Sequence, residues 1–215
     1  MVGWIFQYNS GTDVGRPPNL YHRSDHMSFG TDGAPRINLF ALVVYIPEPL
    51  AGFLDDLRKE LVADCLPRAH VTILPPRPLQ AGQAGTDAAI EQARTVAGGF
   101  APFDIATGEV EIFQKTDVIY IGLQSGEREL REMYKALNQG PLAFREPFPY
   151  HPHITLAQGL PPDRVQSLYE VARKRWAAFP HSRRIRAERA CFVQSTIECT
   201  WVDLAEIRLT GVTVG

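Results

Sequence analysis

His70-Val71-Thr72 and His153-Ile154-Thr155 share one pattern: a histidine, a β-branched apolar residue, then a threonine. Each runs on into apolar residues, Ile73-Leu74 and Leu156-Ala157. On a β-strand, residues i and i+2 point to the same face, roughly 6.6 Å apart along the chain. Each pattern therefore sets an imidazole beside a hydroxyl, while the residues between and after them turn into a core. Imidazole titrates close to neutral pH and serves as general acid or general base. A threonine hydroxyl can donate to a phosphate oxygen where charge develops. Two such pairs facing one cleft supply what in-line cleavage of a phosphodiester needs. One histidine takes the proton of the attacking oxygen, and the other, across the phosphorus, protonates the leaving alkoxide. That division of labour calls for no metal and no cofactor. Because the two patterns are nearly identical, the residues alone leave open which histidine is the base, and the same geometry run backwards would form the bond.

Other residues near the two patterns are candidates for substrate binding. His151 stands at i−2 from His153 and shares its face if the strand extends past Pro152. There it would touch substrate or tune the His153 proton. His151 and His153 also have the HxH spacing of some metal sites, but no further ligands stand nearby, and that reading gives His70 and Thr72 no role. Tyr150 could stack on a base, with loop packing as the competing reading. Arg68, Arg77 and Lys115 are candidate phosphate or ribose contacts, each weighed against an ordinary solvated charge. His22, Asp25 and His26 lack a completing ligand set, and His181 reads as structural. Arg183, Arg184, Arg186 and Arg189 partly alternate along a strand, as a solvent face or an RNA-facing edge would.

The charge balance narrows the partner. With a net charge of -2 and a pI near 6.3, the chain lacks the basic excess of a protein that grips long nucleic acid. A nucleotide or an RNA end carrying a phosphodiester fits better. Cys65, Cys191 and Cys199 make no disulfide framework. No secretory leader pattern is evident and no apolar run nears the about 18 residues of a membrane span, so a cytoplasmic protein with no membrane association is expected. Nothing in the sequence indicates a protein partner. Cys191 and Cys199 stand equally far from Ser195, so a symmetric hairpin turning there would oppose them as free thiols.

The elements that must position these groups follow from periodicity. Leu39 to Ile46 is an apolar run stopped by Pro47 and Pro49, a buried strand. Leu50, Phe53, Leu54, Leu57 and Leu61 recur as one helix face. His70 to Leu74 is a strand that Pro75-Pro76 should end. Ala89 to Phe100 reads as a helix, and Phe103–Phe113 and Val118–Leu123 as strands joined near Lys115-Thr116. A helix over Leu130 to Leu137, a proline-rich loop, a strand at His153–Ala157 and a helix opened by Pro161-Pro162-Asp163 follow. Arg184–Val193 and Ile197–Leu209 read as a closing hairpin.

The order repeats. The motif histidines are 83 positions apart (153 − 70), and Gln114-Lys115-Thr116 and Gln194-Ser195-Thr196, read as hairpin turns, are 80 apart (194 − 114). The chain thus reads as an internal duplication: an N-terminal extension over 1–36, turn-rich and without periodicity, then one duplicated domain over 37–215 with lobes of about 37–125 and 126–215. The unit is strand, helix, HxT strand, helix, strand pair. The second copy of its opening strand is not evident. These elements read as an α+β chain whose duplicated halves face each other, with the HxT strands lining the shared cleft.

On Ala69-His70-Val71-Thr72-Ile73-Leu74 and Pro152-His153-Ile154-Thr155-Leu156-Ala157 the chain resembles the 2H phosphoesterase superfamily, near its bacterial 2′-5′ RNA ligase-like branch. The resemblance spans about Leu39 to the C-terminus and implies an α+β fold: a duplicated, two-lobed fold with two antiparallel sheets around a central cleft and helices outside. It implies action, without a metal, on 2′,3′-cyclic phosphates, 2′-5′ linkages or ADP-ribose cyclic phosphate, with His70 and His153 as the acid–base pair and Thr72 and Thr155 as phosphate contacts. Where some relatives carry a basic residue after the second motif, this chain has Gln158. The expected activity is a metal-independent phosphodiesterase on 2′,3′-cyclic phosphate or 2′-5′-linked RNA or nucleotide ends. The alternatives are 2′-5′ RNA ligation in reverse, and a nucleotide-binding module that does no chemistry.

Overall fold

The computed structural model describes residues 27–29, 35–63, 68–198 and 200–212. Its elements, in chain order, are β1 (Met27–Phe29), β2 (Pro35–Tyr45), α1 (Leu50–Leu61), β3 (His70–Arg77), α2 (Gln83–Gly98), β4 (Phe103–Ile112), β5 (Ile119–Ser125), α3 (Glu127–Leu137), β6 (Ile154–Ala157), α4 (Pro162–Ala177), β7 (Arg184–Ala187), β8 (Arg189–Thr196) and β9 (Trp201–Arg208). A 3-10 turn at Gly140–Leu142 follows α3.

The strands form two antiparallel sheets. In the first, β2 pairs with β8 on one side and with β1 and β3 on the other, and β9 follows β8. In the second the order is β6-β5-β4-β7. Each sheet packs its helices on one face. Alternation along β2 sends Phe40, Leu42 and Val44 into that core, with Ile46 just beyond its end, and along β6 it sends Ile154 and Leu156 there. These side chains are all but inaccessible to water, and fully burying one such residue is worth about 1.5–3 kcal/mol. Leu50, Leu54, Leu57 and Leu61, one stripe of α1, fill the same core.

The unit that repeats is β2-α1-β3 and β5-α3-β6. In both, a central strand, a helix and an antiparallel edge strand carrying the HxT pattern follow one another. β5 is therefore the opening strand of the second unit as well as the hairpin partner of β4. The units exchange helices across the molecule: α1 packs on β6, and α3 packs on β3. Sheets and chain halves do not coincide, since each sheet draws strands from both sides of residue 125. Gly126, with φ of 85°, makes the turn from β5 into α3, where a Cβ would stand 2.8 Å from Ile105 Cγ1.

Several expected boundaries move. β3 runs through Pro75-Pro76 to Arg77, because it is an edge strand and the prolines sit where its register with β2 slips. The first arm of the closing hairpin breaks at Glu188: β7 joins β4 in the second sheet, while β8 joins β2 and β9 in the first. Gln194-Ser195-Thr196 is not a turn. All three are buried at the end of β8, paired across to β2 or β9, and the chain turns at Ile197-Glu198 instead. With that register Cys191 lies opposite Glu206 and not opposite Cys199, which lies outside the described residues, as do Cys65, His22, Asp25 and His26. Part of the expected extension is sheet: Met27–Phe29 pairs with the start of β2.

Candidate active site

In each sheet the face turned away from the helices carries an HxT pair. On the first sheet, His70 is registered opposite Tyr45 and Thr72 opposite Val43. Directly paired residues share a face, so His70 and Thr72 stand over a small apolar floor of Ala41, Val43, Cys191 and Val193, with Tyr45 and Trp201 against it. His70 is half-buried, and the Trp201 ring lies against its imidazole, 4.6 Å between centroids and 39° between planes. Its Nδ1 is 2.6 Å from the carbonyl oxygen of Arg68. A carbonyl can only accept, so Nδ1 carries the proton and Nε2 of the neutral ring keeps the lone pair. The segment bearing that carbonyl is tied on several sides. Arg68 Nη2 donates to Asp203 Oδ2 at 2.6 Å, and its guanidinium covers the Tyr45 ring. The Tyr45 hydroxyl donates to Asp203 Oδ1 at 2.6 Å, and the Ala69 amide donates to Asp55 Oδ1 at 2.8 Å.

The second sheet repeats the arrangement in different residues. His153 Nδ1 is 2.6 Å from the carbonyl oxygen of His151, again two positions back. The same reasoning puts the proton on Nδ1, and the Thr155 hydroxyl then donates to Nε2 at 3.1 Å. Thr155 is registered opposite Tyr120, whose hydroxyl donates to Glu111 Oε2 at 2.9 Å. Phe113 stacks on Tyr120 at 3.9 Å, and both present edges to His153, at 5.0 and 5.3 Å. Gly122 makes room for Glu111, since a Cβ there would lie 2.8 Å from Oε1.

The two strands are neighbours in space, and the Tyr150 hydroxyl donates to the Thr72 carbonyl at 2.7 Å, joining the approach to the second motif to the first. Burial pushes the His70 imidazole down to about 4; the Arg68 carbonyl opposes this, and the charges of Arg58, His153 and Arg68 add to it. Burial likewise holds His153 below the usual histidine range, opposed by the His151 carbonyl and helped by the His151 ring. The pair is thus two neutral imidazoles at pH 7, each with a fixed tautomer and its basic nitrogen away from the backbone.

The remaining sequence candidates separate. His151 is exposed, its ring 6.2 Å from that of His153 and edge-on to Phe113. Arg68 is 60% exposed at its side chain, beside His70. Lys115 is exposed in the β4–β5 turn, two residues beyond Phe113. Arg77 is not a substrate contact. It is 1% exposed and spends its guanidinium on Asn138 Oδ1, the Leu142 carbonyl and Glu146 Oε1, at 2.6 to 2.7 Å. It follows the motif on a strand whose alternation turns it inward. Tyr150 is no stacking platform either: its ring stacks on Tyr134 at 4.3 Å and its hydroxyl is used on Thr72. The arginine run reads as a solvent face, with Arg186 on Asp104, Arg189 on Glu206 and Arg183 over Trp176. Among the described residues no three His, Cys, Asp or Glu side chains group to hold a metal ion, and no helix is long and apolar enough to cross a membrane.

Sequence reasoning missed Tyr45, Trp201 and Asp203 around His70, and Phe113, Tyr120 and Glu111 around His153. Tyr45 and Tyr120 were within reach, as the aromatic residues of the strands flanking the motifs. Asp203 and Trp201 had no local signal.

Comparison with known proteins agrees with this architecture. A family model described as the 2′-5′ RNA ligase superfamily matches residues 46–194. No curated protein sequence matches the chain. Among solved structures, Escherichia coli LigT complexed with 3′-AMP superposes with a TM-score of 0.57 at 15% identity, over 80% of this chain and 98% of that one. TT0787 of Thermus thermophilus gives 0.53 at 16%, over 80% and 97%. Usb1 of Kluyveromyces marxianus gives 0.50 at 13%, over 78% and 97%. At such identities the structures speak for the fold, and the family model spans more than half of the sequence. The chain belongs to the 2′-5′ RNA ligase superfamily.

Proposed function

We propose that the protein is a metal-independent phosphodiesterase acting on 2′,3′-cyclic phosphate or 2′-5′-linked RNA or nucleotide ends, with His70 and His153 as its acid–base pair. The observation that carries this reading is the matched pair of backbone anchors. Each imidazole is held through Nδ1 by the carbonyl two residues back, which turns both Nε2 atoms away from the backbone for proton transfer. In hydrolysis of a cyclic phosphate, one Nε2 takes a proton from water as its oxygen bonds to phosphorus. The bond from phosphorus to the 2′ or 3′ oxygen breaks, and the other imidazole, entering protonated, gives its proton to that oxygen. Thr72 and Thr155 donate to the non-bridging oxygens; Thr155 must first release His153 Nε2, to which it donates in this structure.

A phosphodiester anion between the rings favours the protonated partner, so substrate itself helps load the acid. LigT has been solved with 3′-AMP, phosphate, ATP and NADP+, and nucleotide phosphates are the ligand class this reading extends to the present chain. The family's description keeps 2′-5′ joining in view: with a 5′-hydroxyl in place of water, one Nε2 takes its proton as its oxygen bonds to phosphorus, the bond from phosphorus to the 3′ oxygen breaks, and the other imidazole protonates that oxygen, leaving a 2′-5′ linkage. The test is turnover of 2′,3′-cyclic AMP and of a 2′-5′-linked dinucleotide in EDTA. Hydrolysis that persists in chelator and disappears in His70→Ala and His153→Ala is the expected result. Dependence on added metal, together with a requirement for His151 but not His70, would replace this reading with a metal site at His151 and His153. Binding without turnover would leave a nucleotide-binding module.

A further inference from the structure

We propose that Trp201 and Asp203, from β9 at the C-terminal end of the chain, are positioning residues for His70. The inference rests on His70 being one of the acid–base pair, and it reaches two residues outside both motifs. An imidazole hung from one backbone carbonyl by Nδ1 can still swing about that hydrogen bond and about χ2, and Nε2 swings with it. Trp201 removes that freedom. Its ring packs on the imidazole at 4.6 Å and is itself seated on the Ala41, Val43, Cys191 and Val193 floor. Asp203 fixes the other end. Its carboxylate takes the Arg68 guanidinium through one oxygen and the Tyr45 hydroxyl through the other, both at 2.6 Å. Arg68 carries the carbonyl that holds Nδ1. Trp201 and Asp203 are two apart on β9 and so share a face. One strand therefore holds both the plane of the ring and the anchor of its hydrogen bond.

The charged and titratable groups around His70 come from every neighbouring element: Tyr45 on β2, Arg58 on α1, Arg68 before β3, Cys191 on β8, Asp203 on β9 and His153 across the cleft. The Trp201 indole is uncharged, so its removal acts on His70 by admitting water and loosening the ring. Water relieves the burial that depresses the imidazole, so the titration of His70 moves up toward the ordinary histidine value.

The experiment follows the histidine resonances of the full-length protein by NMR titration, beside kcat and KM for 2′,3′-cyclic AMP, in Trp201→Ala, Trp201→Phe, Asp203→Ala and Asp203→Asn. The expected result for Trp201→Ala is an upward shift of the His70 titration with His153 unmoved, and kcat lower by about 10- to 100-fold with a smaller change in KM. Trp201→Phe restores most of both. Asp203→Ala lowers kcat less, and Asp203→Asn, which still accepts hydrogen bonds, less again. A His70 titration and a kcat unchanged in both Trp201→Ala and Asp203→Ala would overturn the inference, as would equal shifts of His70 and His153. The NMR titration needs no turnover. If no cyclic phosphate or 2′-5′ linkage is hydrolysed while the His70 shift appears, the positioning stands and the proposed reaction fails. If hydrolysis proceeds and the shift is missing, the positioning fails alone. Should Trp201→Ala not fold, Trp201→Leu, which keeps apolar bulk without a ring or a charge, decides by the same two readouts.

Discussion

Around His153 the neighbours are rings: Phe113 and Tyr120 present their edges and His151 lies 6.2 Å away. Around His70 the Trp201 ring packs on the imidazole, and beyond it Arg68, Asp203 and Tyr45 form a polar lattice. The backbone anchor is the same in both places, a carbonyl two residues back at 2.6 Å. What the duplication preserved is the feature a β-strand can encode locally, namely tautomer and direction. What diverged is the feature supplied by other strands, the surroundings that set how readily each ring takes a proton. The two walls also bring their carboxylates differently. Glu111 reaches Tyr120 from the adjacent strand, directly opposite it. Asp203 reaches Tyr45 from β9, across β8.

The largest effects should fall on the histidines themselves. His70→Ala and His153→Ala each remove one proton-transfer partner, with an expected loss of about 10²–10⁴-fold in kcat. The double variant should lose far less than the product of the two, because the rings work as a unit. A steady-state comparison of the four proteins reads this out. Two fully multiplicative losses would mean that the two walls act independently.

Arg77→Ala should come next, and in stability before activity. Arg77 ties the end of β3 to the segment after α3 through Asn138, Leu142 and Glu146, nearly out of reach of water. Burial already pushes the Glu146 carboxyl up, and Arg77 opposes it. Removing one partner of such a pair costs about 3–5 kcal/mol, measured by urea unfolding. A loss within the range of an ordinary surface change would show that this tie between the motif-bearing segments is dispensable.

The threonines should matter less. Thr72→Ala and Thr155→Ala each take away one neutral donor to an anion, about 1.5–3 kcal/mol of transition-state binding. They should also differ from each other. Thr155 donates to His153 Nε2, so its removal frees the ring, whereas Thr72→Ala has no such gain. Thr72→Ala is expected to be the slower enzyme, and identical rates would erase the distinction.

The pH profile sharpens the contrast further. Both imidazoles titrate below the ordinary histidine value, His70 to about 4. The free enzyme therefore loses its acid form before neutrality is reached. The profile of kcat/KM should be a bell whose two limbs both lie below about 6.5, reporting the pair as a whole. Stability should follow the opposite sense. A histidine depressed in the folded protein leaves the unfolded chain binding more protons, so its contribution is complete above about 6.5 and is lost as pH falls toward 4. A rate optimum at or above pH 8 would contradict the burial of both rings.

The parts legible in the sequence were those with a period or a local spacing. The HxT strands and the α1 stripe follow from alternation and from the 3.6-residue repeat, and the two-sheet class from the resemblance that the HxT motifs carry. β5 does not stand out as an opening strand because it is also β4's hairpin partner. Pro75-Pro76 read as a stop, although an edge strand with a slipped register tolerates them. The break at Glu188 has no proline or glycine to mark it, and sheet membership alone separates β7 from β8. Arg77 reads in the sequence as a candidate phosphate or ribose contact, with a solvated charge as the competing reading, because the partners that bury it lie 61 to 69 positions away. Trp201 meets His70, and Asp203 meets Arg68 and Tyr45, only through the register of β2, β8 and β9, which no window of sequence contains.

The smallest expected effect concerns an element that the first sheet has and the second lacks. β1 pairs with Pro35, Arg36 and Ile37 on the same edge of β2 that β3 occupies further along. It does not reach the register of His70 and Thr72, which is set at Tyr45 and Val43. A chain starting at Met27 keeps β1 whole and should match the full-length protein in melting temperature and in kcat/KM. A chain starting at Asn38 removes β1 and the first residues of β2, including the Arg36–Thr196 pairing that closes the end of β8. That chain should melt lower while retaining kcat, because the anchors of His70 lie at the other end of β2 and on β9. Thermal unfolding and steady-state rates on the three chains separate these outcomes. If the Met27 chain lost activity, the residues before β1 would have to serve the cleft of the first sheet, and the contrast between the two walls would extend to the N-terminal segment.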